Sequence, residues 1–291
     1  MRVSHRQLLN LRHPLRLCRG GVFVGSLKIM SAKDSFLTNL ALSMIIILLS
    51  SACHLGHSES SVNRLSYILL LWLIQKMSKQ NLKIFLFHGF MAREHMQRHW
   101  LHYLAELGYP NVELYGHLPS AKKITKQIID LNQSKKQKIV LIGYSQGGFQ
   151  AVKVAQALKR LQYPVDLLVT IAAGGKGRLL PKQWGYNPRQ IPENVLKSLN
   201  FFSLSDPLGA DRCYRDNLIQ SSRDHQSIEN IIFDRSIQVG HIELSRCYPK
   251  QRIHHLVKQH LISRIEKELF SLESSSNFNS VNRIATDREL M

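Results

Sequence analysis

Residues 138–158 read KIVLIGYSQGGFQAVKVAQAL: an apolar run, a Gly-Tyr-Ser-Gln-Gly pentapeptide and a stretch with helical spacing. The run 138–142 predicts a strand covered on both faces, because such strands are continuously apolar. The pentapeptide matches G-x-S-x-G and lies where this strand passes into a helix. Without a Cβ at Gly143 and Gly147, the chain is able to turn sharply and lift Ser145 out of the sheet. Ser145 is therefore a candidate nucleophile, and the alternative is an ordinary turn serine.

Strand and helix patterns alternate on both sides of this stretch. Strand-like segments are found at residues 82–87, 112–115, 138–142, 166–173, 199–204 and 230–239. Helical spacing is found at residues 94–107, 120–132, 147–161 and 250–270. This alternation predicts an α/β fold with a mostly parallel central sheet and helices on both faces. Ligands of such sheets bind beyond the carboxyl ends of the strands, which makes the residues at those ends the candidate site residues.

Four features at the strand ends resemble an α/β-hydrolase of the small lipase, esterase and thioesterase kind. GYSQG resembles the nucleophile elbow, and HGF at 88–90 resembles the oxyanion motif of lipases. Asp206 and His241 follow later strands, so the chain order Ser, Asp, His is that of the family. The resemblance covers residues 82–270 and implies a minimal member of the family that lacks its first two strands.

The resemblance implies a role for each of these residues. Ser145 would be the nucleophile, His241 the general base and Asp206 the acid that orients the imidazole. The backbone N–H groups of Phe90 and Gln146 would form the oxyanion hole. The supporting positions would be His88, Gly89, Gly143 and Gly147. No organic cofactor and no metal are implied.

Alternatives remain open at this point. Asp211, five residues after Asp206, competes for the role of triad acid, because Asp-Pro is also a common turn. His95, His99 and His102 share a helix face, but without an H-E-x-x-H pattern they are interpreted as a solvated face. For the whole protein, the competing function is a non-catalytic, hydrolase-like module that binds anionic lipid or another acidic partner.

Composition constrains the class of partner without naming one. The 291 residues are 44% hydrophobic and carry a formal net charge of +19, which supports a globular core and favours anionic partners. No specific nucleic-acid signature accompanies the charge. The expected substrate is a small-molecule or lipid acyl compound, and the net charge favours an anionic one. Basic and aromatic residues in the insert 174–198 are candidates for shaping that choice: Lys176, Arg178, Lys182, Trp184, Tyr186 and Arg189.

The first 76 residues differ from the rest and are expected to be a separate extension. They contain two apolar runs within residues 36–74, each shorter than a membrane-spanning helix requires. Three interpretations stay open: a mis-assigned start with translation from Met77, a signal segment that ends near Cys53, or a membrane anchor. The first predicts a cytoplasmic protein, and the other two predict a membrane-associated or exported one. The hydrolase-like domain is predicted at 77–270, with a flexible tail at 271–291.

The positions of the cysteines give little information about function. The four cysteines contain no C-x-x-C pair, and this spacing argues against a zinc site. Cys213 and Cys247 lie in the predicted domain and could pair in an oxidising compartment.

Overall fold

A computed structural model of the chain describes residues 79–133, 136–175, 187–224 and 226–275. The predictions for the extension 1–76 and its apolar runs therefore lie outside the described residues. So do the start at Met77 and residues 176–186 of the 174–198 insert. Within the described ranges, no helix is both long and apolar enough to cross a membrane.

The centre of the fold is a six-stranded sheet in which every neighbouring pair is parallel. Its order is β2-β1-β3-β4-β6-β8. The strands are β1 Leu82–His88, β2 Val112–Gly116, β3 Lys138–Tyr144, β4 Val165–Ile171, β6 Val195–Ser203 and β8 Ser227–Phe233. A separate parallel pair joins β5 (Gln190–Ile191) to β7 (Gln220–Ser221).

Helices connect these strands. The first is one continuous helix made of α1 (Arg93–Met96), a π-helical segment (Gln97–Leu101) and α2 (His102–Glu106). It is followed by α3 (Ala121–Asn132), α4 (Gln146–Arg160) and α5 (His241–Leu244). The last helix, α6, spans residues 255–275 and includes the π-helical segment Val257–Ile262.

Two apolar cores cover the two faces of the sheet. Along β1, Ile84 and Leu86 belong to one core, whereas Phe85 and Phe87 belong to the other. This alternation follows from the period of two of a β-strand. The first core includes Met96, Trp100 and Leu104 from the first helix and Leu261, Ile265 and Leu269 from α6. The second includes Ile124 and Ile128 from α3 and Val152, Ala155 and Leu158 from α4. The predicted fold class, a mostly parallel sheet with helices on both faces, is confirmed.

The strand order reverses between β1 and β3. From β1 the chain goes to β2 on one side and then returns to β3 on the other side. Such a reversal opens a crevice at the carboxyl ends of the two strands, where ligands of parallel sheets bind. The register pairs Phe87 with Gly143, so His88 and Gly89 lie beside Tyr144 and Ser145.

The larger differences from the predicted element boundaries lie in the C-terminal half of the domain. Strand β6 begins at Val195 rather than residue 199, and β8 ends at Phe233, followed by the 3₁₀ turn Arg235–Ile237. The closing helix runs over 255–275 rather than 250–270, so residues 271–275 of the predicted flexible tail are helical. The remainder of that tail, 276–291, lies outside the described residues. Boundaries shift because the hydrophobic period marks the middle of an element better than its ends.

Candidate active site

Ser145 lies at the junction between β3 and α4, with backbone angles φ 55° and ψ −128°. A non-glycine residue at positive φ costs about 1–3 kcal/mol and persists only where its surroundings enforce it. Its N–H donates to Ile171 O (2.8 Å), and its own carbonyl accepts from Gly148 N (2.9 Å). These two bonds fix the turn on both sides of the serine.

The glycines of the pentapeptide are required by close backbone contacts. A Cβ on Gly143 would lie 2.4 Å from Gly147 O, and a Cβ on Gly147 would lie 2.0 Å from Phe87 O. Real Cβ atoms do not approach backbone oxygens this closely. Gly147 therefore lets α4 start directly against the end of β1, and Gly143 lets β3 pass under that helix. This is the close approach that the sequence pattern predicted.

His241 is the first residue of α5, and its ring bridges the other two predicted triad residues. Its Nε2 lies 3.0 Å from Ser145 Oγ, and its Nδ1 lies 2.7 Å from Asp206 Oδ2. A carboxylate only accepts, so Nδ1 is the protonated nitrogen and Nε2 is left to accept from the serine hydroxyl. Ser145 and Asp206 are 61 residues apart in the sequence, and Asp206 and His241 are 35 residues apart. The sheet alone brings them together.

Asp206 lies in the turn after β6 and is 1% exposed. Its Oδ1 accepts from the N–H groups of Leu208 and Gly209, each at 2.9 Å, while Oδ2 accepts from His241. A Cβ on Gly209 would lie 2.3 Å from Asp206 Oδ2, so only glycine fits there. The carboxylate is thus held by three hydrogen bonds, and its position is set before any ligand binds.

Asp211 is directed to a different partner. Its Oδ2 lies 3.4 Å from Arg189 Nη2, and its backbone N–H donates to Asn217 Oδ1 (2.7 Å). Of the two candidate acids, the structure therefore brings Asp206 and not Asp211 to His241. Arg189 is also buried, and its Nε donates to Asp216 O at 3.0 Å. These contacts show that Arg189 holds the loop after Asp206.

The predicted oxyanion-hole residues lie on either side of Ser145. Gln146 is the first residue of α4, and the N–H groups of a first helical turn have no partner within the helix. A Cβ on Gly89 would lie 3.1 Å from Gln146 N and from Ser145 Oγ. The Gly89–Phe90 peptide therefore lies directly against the serine. The Phe90 side chain itself is 66% exposed.

His88 fixes the orientation of that peptide. Its Nδ1 donates to Gly89 O at 2.8 Å, and the N–H of Ala92 donates to the same carbonyl at 3.3 Å. In a trans peptide the carbonyl and the next N–H point in opposite directions. Holding Gly89 O on one side therefore holds the Phe90 N–H on the other. The role of His88 as a brace of the oxyanion loop stays a prediction.

Tyr144 and Ser245 are site neighbours that sequence reasoning missed. The Tyr144 hydroxyl donates to the backbone carbonyl of His241 at 3.1 Å, and the two rings lie 5.0 Å apart. Burial raises the pKa of Tyr144 to about 12, so the hydroxyl stays protonated and able to donate. The sequence motif could not reveal Tyr144, because any residue fits the first x of G-x-S-x-G. Only the contact with α5 reveals its use.

The helix histidines are not the solvated face that was predicted. His95 Nε2 lies 2.7 Å from Ser245 Oγ, and the ring is 5.7 Å from that of Tyr144. His99 Nδ1 accepts from Tyr248 N at 3.2 Å, whereas His102 is exposed. Burial, followed by the charges of His99 and Arg246, lowers the pKa of His95 to about 4. The face is half-buried because the loop after α5 packs on it.

The described residues form neither a metal site nor a disulfide. Among the residues that the structure describes, no cluster of three or more His, Cys, Asp or Glu side chains has the arrangement of a metal site. Cys213 and Cys247 are both free thiols, the first exposed and the second buried. Burial raises the pKa of the Cys247 thiol far above its usual range.

Comparisons with known proteins give similarities of fold. No protein-family model and no curated protein matches the chain. Among solved structures, a YdeN-like hydrolase from Pectobacterium atrosepticum is 18% identical, with a TM-score of 0.38 over 60% of this chain and 86% of that one. The RedJ thioesterase from Streptomyces coelicolor is 13% identical, with a TM-score of 0.39 over 62% and 88%. Human thioesterase 2 is 12% identical, with a TM-score of 0.38 over 65% and 97%.

Similarities of this size carry no argument about activity. The chain's own topology is informative instead: a parallel sheet, a serine elbow after β3, and the acid and histidine after later strands. These are the features of the α/β-hydrolase fold, with the chain order Ser, Asp, His.

Proposed function

We propose that the protein is a serine hydrolase that cleaves carboxylic esters or thioesters through an acyl-enzyme on Ser145. The observation that carries the proposal is the chain of two hydrogen bonds from Asp206 through His241 to Ser145, at 2.7 and 3.0 Å. Hydrogen-bonded nucleophile, base and orienting acid are the geometric signature of nucleophilic acyl transfer. A serine that served only as a turn residue would require neither partner.

In the first half of the proposed reaction, Ser145 Oγ attacks the acyl carbon while His241 Nε2 takes the hydroxyl proton. Asp206 stabilises the imidazolium that forms and keeps its Nδ1 proton oriented. The tetrahedral intermediate places negative charge on the former carbonyl oxygen, beside the N–H groups of Gln146 and Phe90. Donors of this kind contribute about 3 kcal/mol each to the stability of the transition state.

In the second half, His241 returns its proton to the leaving alcohol or thiol, and the acyl group stays on Ser145. A water molecule then enters, His241 takes its proton, and the hydroxide attacks the acyl carbon. Collapse of the second tetrahedral intermediate releases the acid and returns the proton to Ser145 Oγ. The chain's own residues are sufficient for each proton transfer.

The surroundings of the triad support an apolar acyl group. Three large apolar side chains near it are strongly exposed: Phe90 at 66%, Leu208 at 52% and Ile242 at 52%. Phe90 follows β1, Leu208 lies two residues after Asp206, and Ile242 is adjacent to His241. Contact with an acyl chain would remove these surfaces from water, at about 25 cal/mol per Å² of apolar area.

A fluorophosphonate probe tests the proposal, because it labels only an activated serine. We expect the full chain to be labelled at Ser145 and to hydrolyse p-nitrophenyl butyrate and a short acyl thioester. Ser145→Ala should lose both properties, while the matched control Ser274→Ala, on the exposed face of α6, should keep them. Labelling that persists in Ser145→Ala would show that another residue is the nucleophile. An unlabelled, inactive but folded wild type would favour the non-catalytic binding module.

A further inference from the structure

A basic cleft lies beside the candidate active site, between the first helix and the loop that follows α5. Its volume is about 670 Å³, within the usual range for small-molecule sites. We call it the arginine cleft; its lining residues are Gln97, Arg98, His99, His102, Arg246, Tyr248, Pro249 and Arg252. None of these lining residues is acidic.

The charges of the arginine cleft are largely uncompensated. In the described part of the chain, Arg246 and Arg252 make no ion pair with a carboxylate. Arg98 lies 3.5 Å from Glu94, but both side chains are more than three-quarters exposed, and such pairs contribute little. His102 lies 3.3 Å from Glu106. Three guanidinium groups thus line one surface, where they repel one another and an anion bound between them would relieve that repulsion.

Neutral donors add to the guanidinium groups. His99 Nδ1 accepts from Tyr248 N, so the proton of the neutral ring is on Nε2, which leaves that nitrogen as a donor. Burial and then the charge of Arg246 lower the pKa of His99, and the neutral form is therefore favoured. The amide of Gln97 and the hydroxyl of Tyr248 are further donors on the same surface.

Contacts between rings connect the arginine cleft to the candidate triad. The ring of His99 lies 4.2 Å from that of His95, which lies 5.7 Å from Tyr144, and Tyr144 lies 5.0 Å from His241. The loop that lines the cleft also begins directly after α5, which carries His241. The cleft is therefore a neighbour of the catalytic histidine and is not part of the triad itself.

We propose that the arginine cleft binds a phosphate or pyrophosphate group. A carboxylate has two oxygens and is satisfied by one guanidinium fork, whereas a phosphate has enough oxygens for several forks at once. The volume exceeds that of one phosphate, so the group belongs to a larger molecule, either a free phosphorylated compound or a phospholipid head group. The proposal concerns binding and does not depend on the chemistry of Ser145.

Titration calorimetry of the full chain with pyrophosphate and with inorganic phosphate tests the proposal. We expect Arg246→Gln combined with Arg252→Gln to weaken pyrophosphate binding by about tenfold or more. The matched control is Lys122→Gln combined with Lys126→Gln, on the exposed face of α3. This control also removes two positive charges, but from outside the cleft. It should leave the affinity for pyrophosphate within about twofold, because long-range fields at ordinary ionic strength are screened. Should the arginine double variant fail to fold, the exposed Arg252→Gln alone should still weaken binding severalfold.

A second experiment, with lipid vesicles, distinguishes a phosphorylated small molecule from a phospholipid head group. Phosphatidylcholine vesicles with and without phosphatidic acid are sedimented with the wild type and both double variants. Free pyrophosphate binding that the arginine variant loses supports a phosphorylated small molecule. Binding only to phosphatidic acid vesicles, lost in the same variant, supports a lipid head group. If neither probe binds, or if the lysine variant loses as much as the arginine variant, the cleft is not a phosphate site and the proposal is wrong.

Discussion

Polar side chains are buried at both ends of the strands of the central sheet, but they have different roles there. We call the side where the strands begin the amino edge and the side where they end the carboxyl edge. At the amino edge, Asn132 donates to Gln137 O (2.9 Å) and accepts from Gln137 N (2.7 Å), and Asp166 Oδ2 accepts from Ile139 N (2.8 Å). At the carboxyl edge, Asp206 and His241 are bonded to each other, and His241 is bonded to Ser145. Polar groups at the first edge satisfy backbone groups, whereas those at the second converge on one hydroxyl.

This difference distinguishes buried polar side chains that stabilise the fold from those that serve a function. A side chain that satisfies backbone groups contributes to stability, because those groups would otherwise be buried without a partner. A network that ends at one hydroxyl, on a residue with positive φ, is the arrangement by which we propose that stability is used to hold a reactive group. Substitutions at the two edges should therefore have opposite signatures in activity and in stability.

The largest effect is expected for Ser145→Ala. Loss of the nucleophile should lower kcat/KM for p-nitrophenyl butyrate by about 10³-fold or more. The unfolding free energy should change by less than about 0.5 kcal/mol, because only one hydroxyl is removed. Ester hydrolysis and urea unfolding on the same preparation check both statements. Undiminished turnover would remove Ser145 from the proposed mechanism.

Asp206→Asn should have the next largest effect. The amide cannot stabilise the imidazolium, and it favours the wrong tautomer of His241, which costs about 10³- to 10⁴-fold in kcat. The matched variant Asp211→Asn should keep activity within about threefold, but should lose about 1–3 kcal/mol of stability because buried Arg189 loses its charged partner. Parallel kinetics on the two variants are decisive. The reverse ranking of activities would assign the role of triad acid to Asp211.

Asn132→Ala probes the amino edge and should reverse the pattern. The side chain is 2% exposed and also lies 2.6 Å from the Tyr163 hydroxyl. Its removal should lower the unfolding free energy by about 2 kcal/mol, while kcat/KM stays within about twofold below the unfolding transition. Denaturant unfolding and hydrolysis rates supply the two numbers. A large drop in kcat with little loss of stability would mean that the two edges are coupled, contrary to the comparison.

His95→Gln should give the smallest effect, visible only in the pH dependence of stability. The pKa of His95 is lowered from 6.5 to about 4, so the unfolded state binds its proton more tightly than the folded state. The contribution of His95 is then fully present above pH 6.5 and is lost as pH falls through about 4. We expect the pH-dependent part of the unfolding free energy to be about 1 kcal/mol smaller in His95→Gln. This figure already allows for the partial exposure of the ring, which weakens the effect.

Urea midpoints at several pH values between 6.5 and 4 measure this change, and exposed His102→Gln serves as the control. Glutamine keeps a donor near Ser245, so the folded structure should be retained. Equal slopes for His95→Gln and the parent protein would show that the buried ring does not resist protonation.

Much of the fold could be predicted from local patterns. The six segments predicted as strands correspond to the six strands of the sheet, because parallel strands covered on both faces are continuously apolar. The two-residue strands Gln190–Ile191 and Gln220–Ser221 could not, because two residues carry no period. Strand ends and the start of the last helix shifted by up to six residues, because periodicity does not mark the caps of an element.

The sequence by itself determined the elbow, because G-x-S-x-G after an apolar run is a local requirement: Gly143 and Gly147 meet backbone atoms within a few residues or in the adjacent strand. Tertiary structure alone shows that Asp206 contacts His241 whereas Asp211 contacts Arg189, because both acids are polar residues in one loop. It also revealed Tyr144 behind His241 and the packing of His95 on Ser245. Contacts between residues that are about 35 to 150 positions apart depend on strand order and register, and no local pattern encodes those distances.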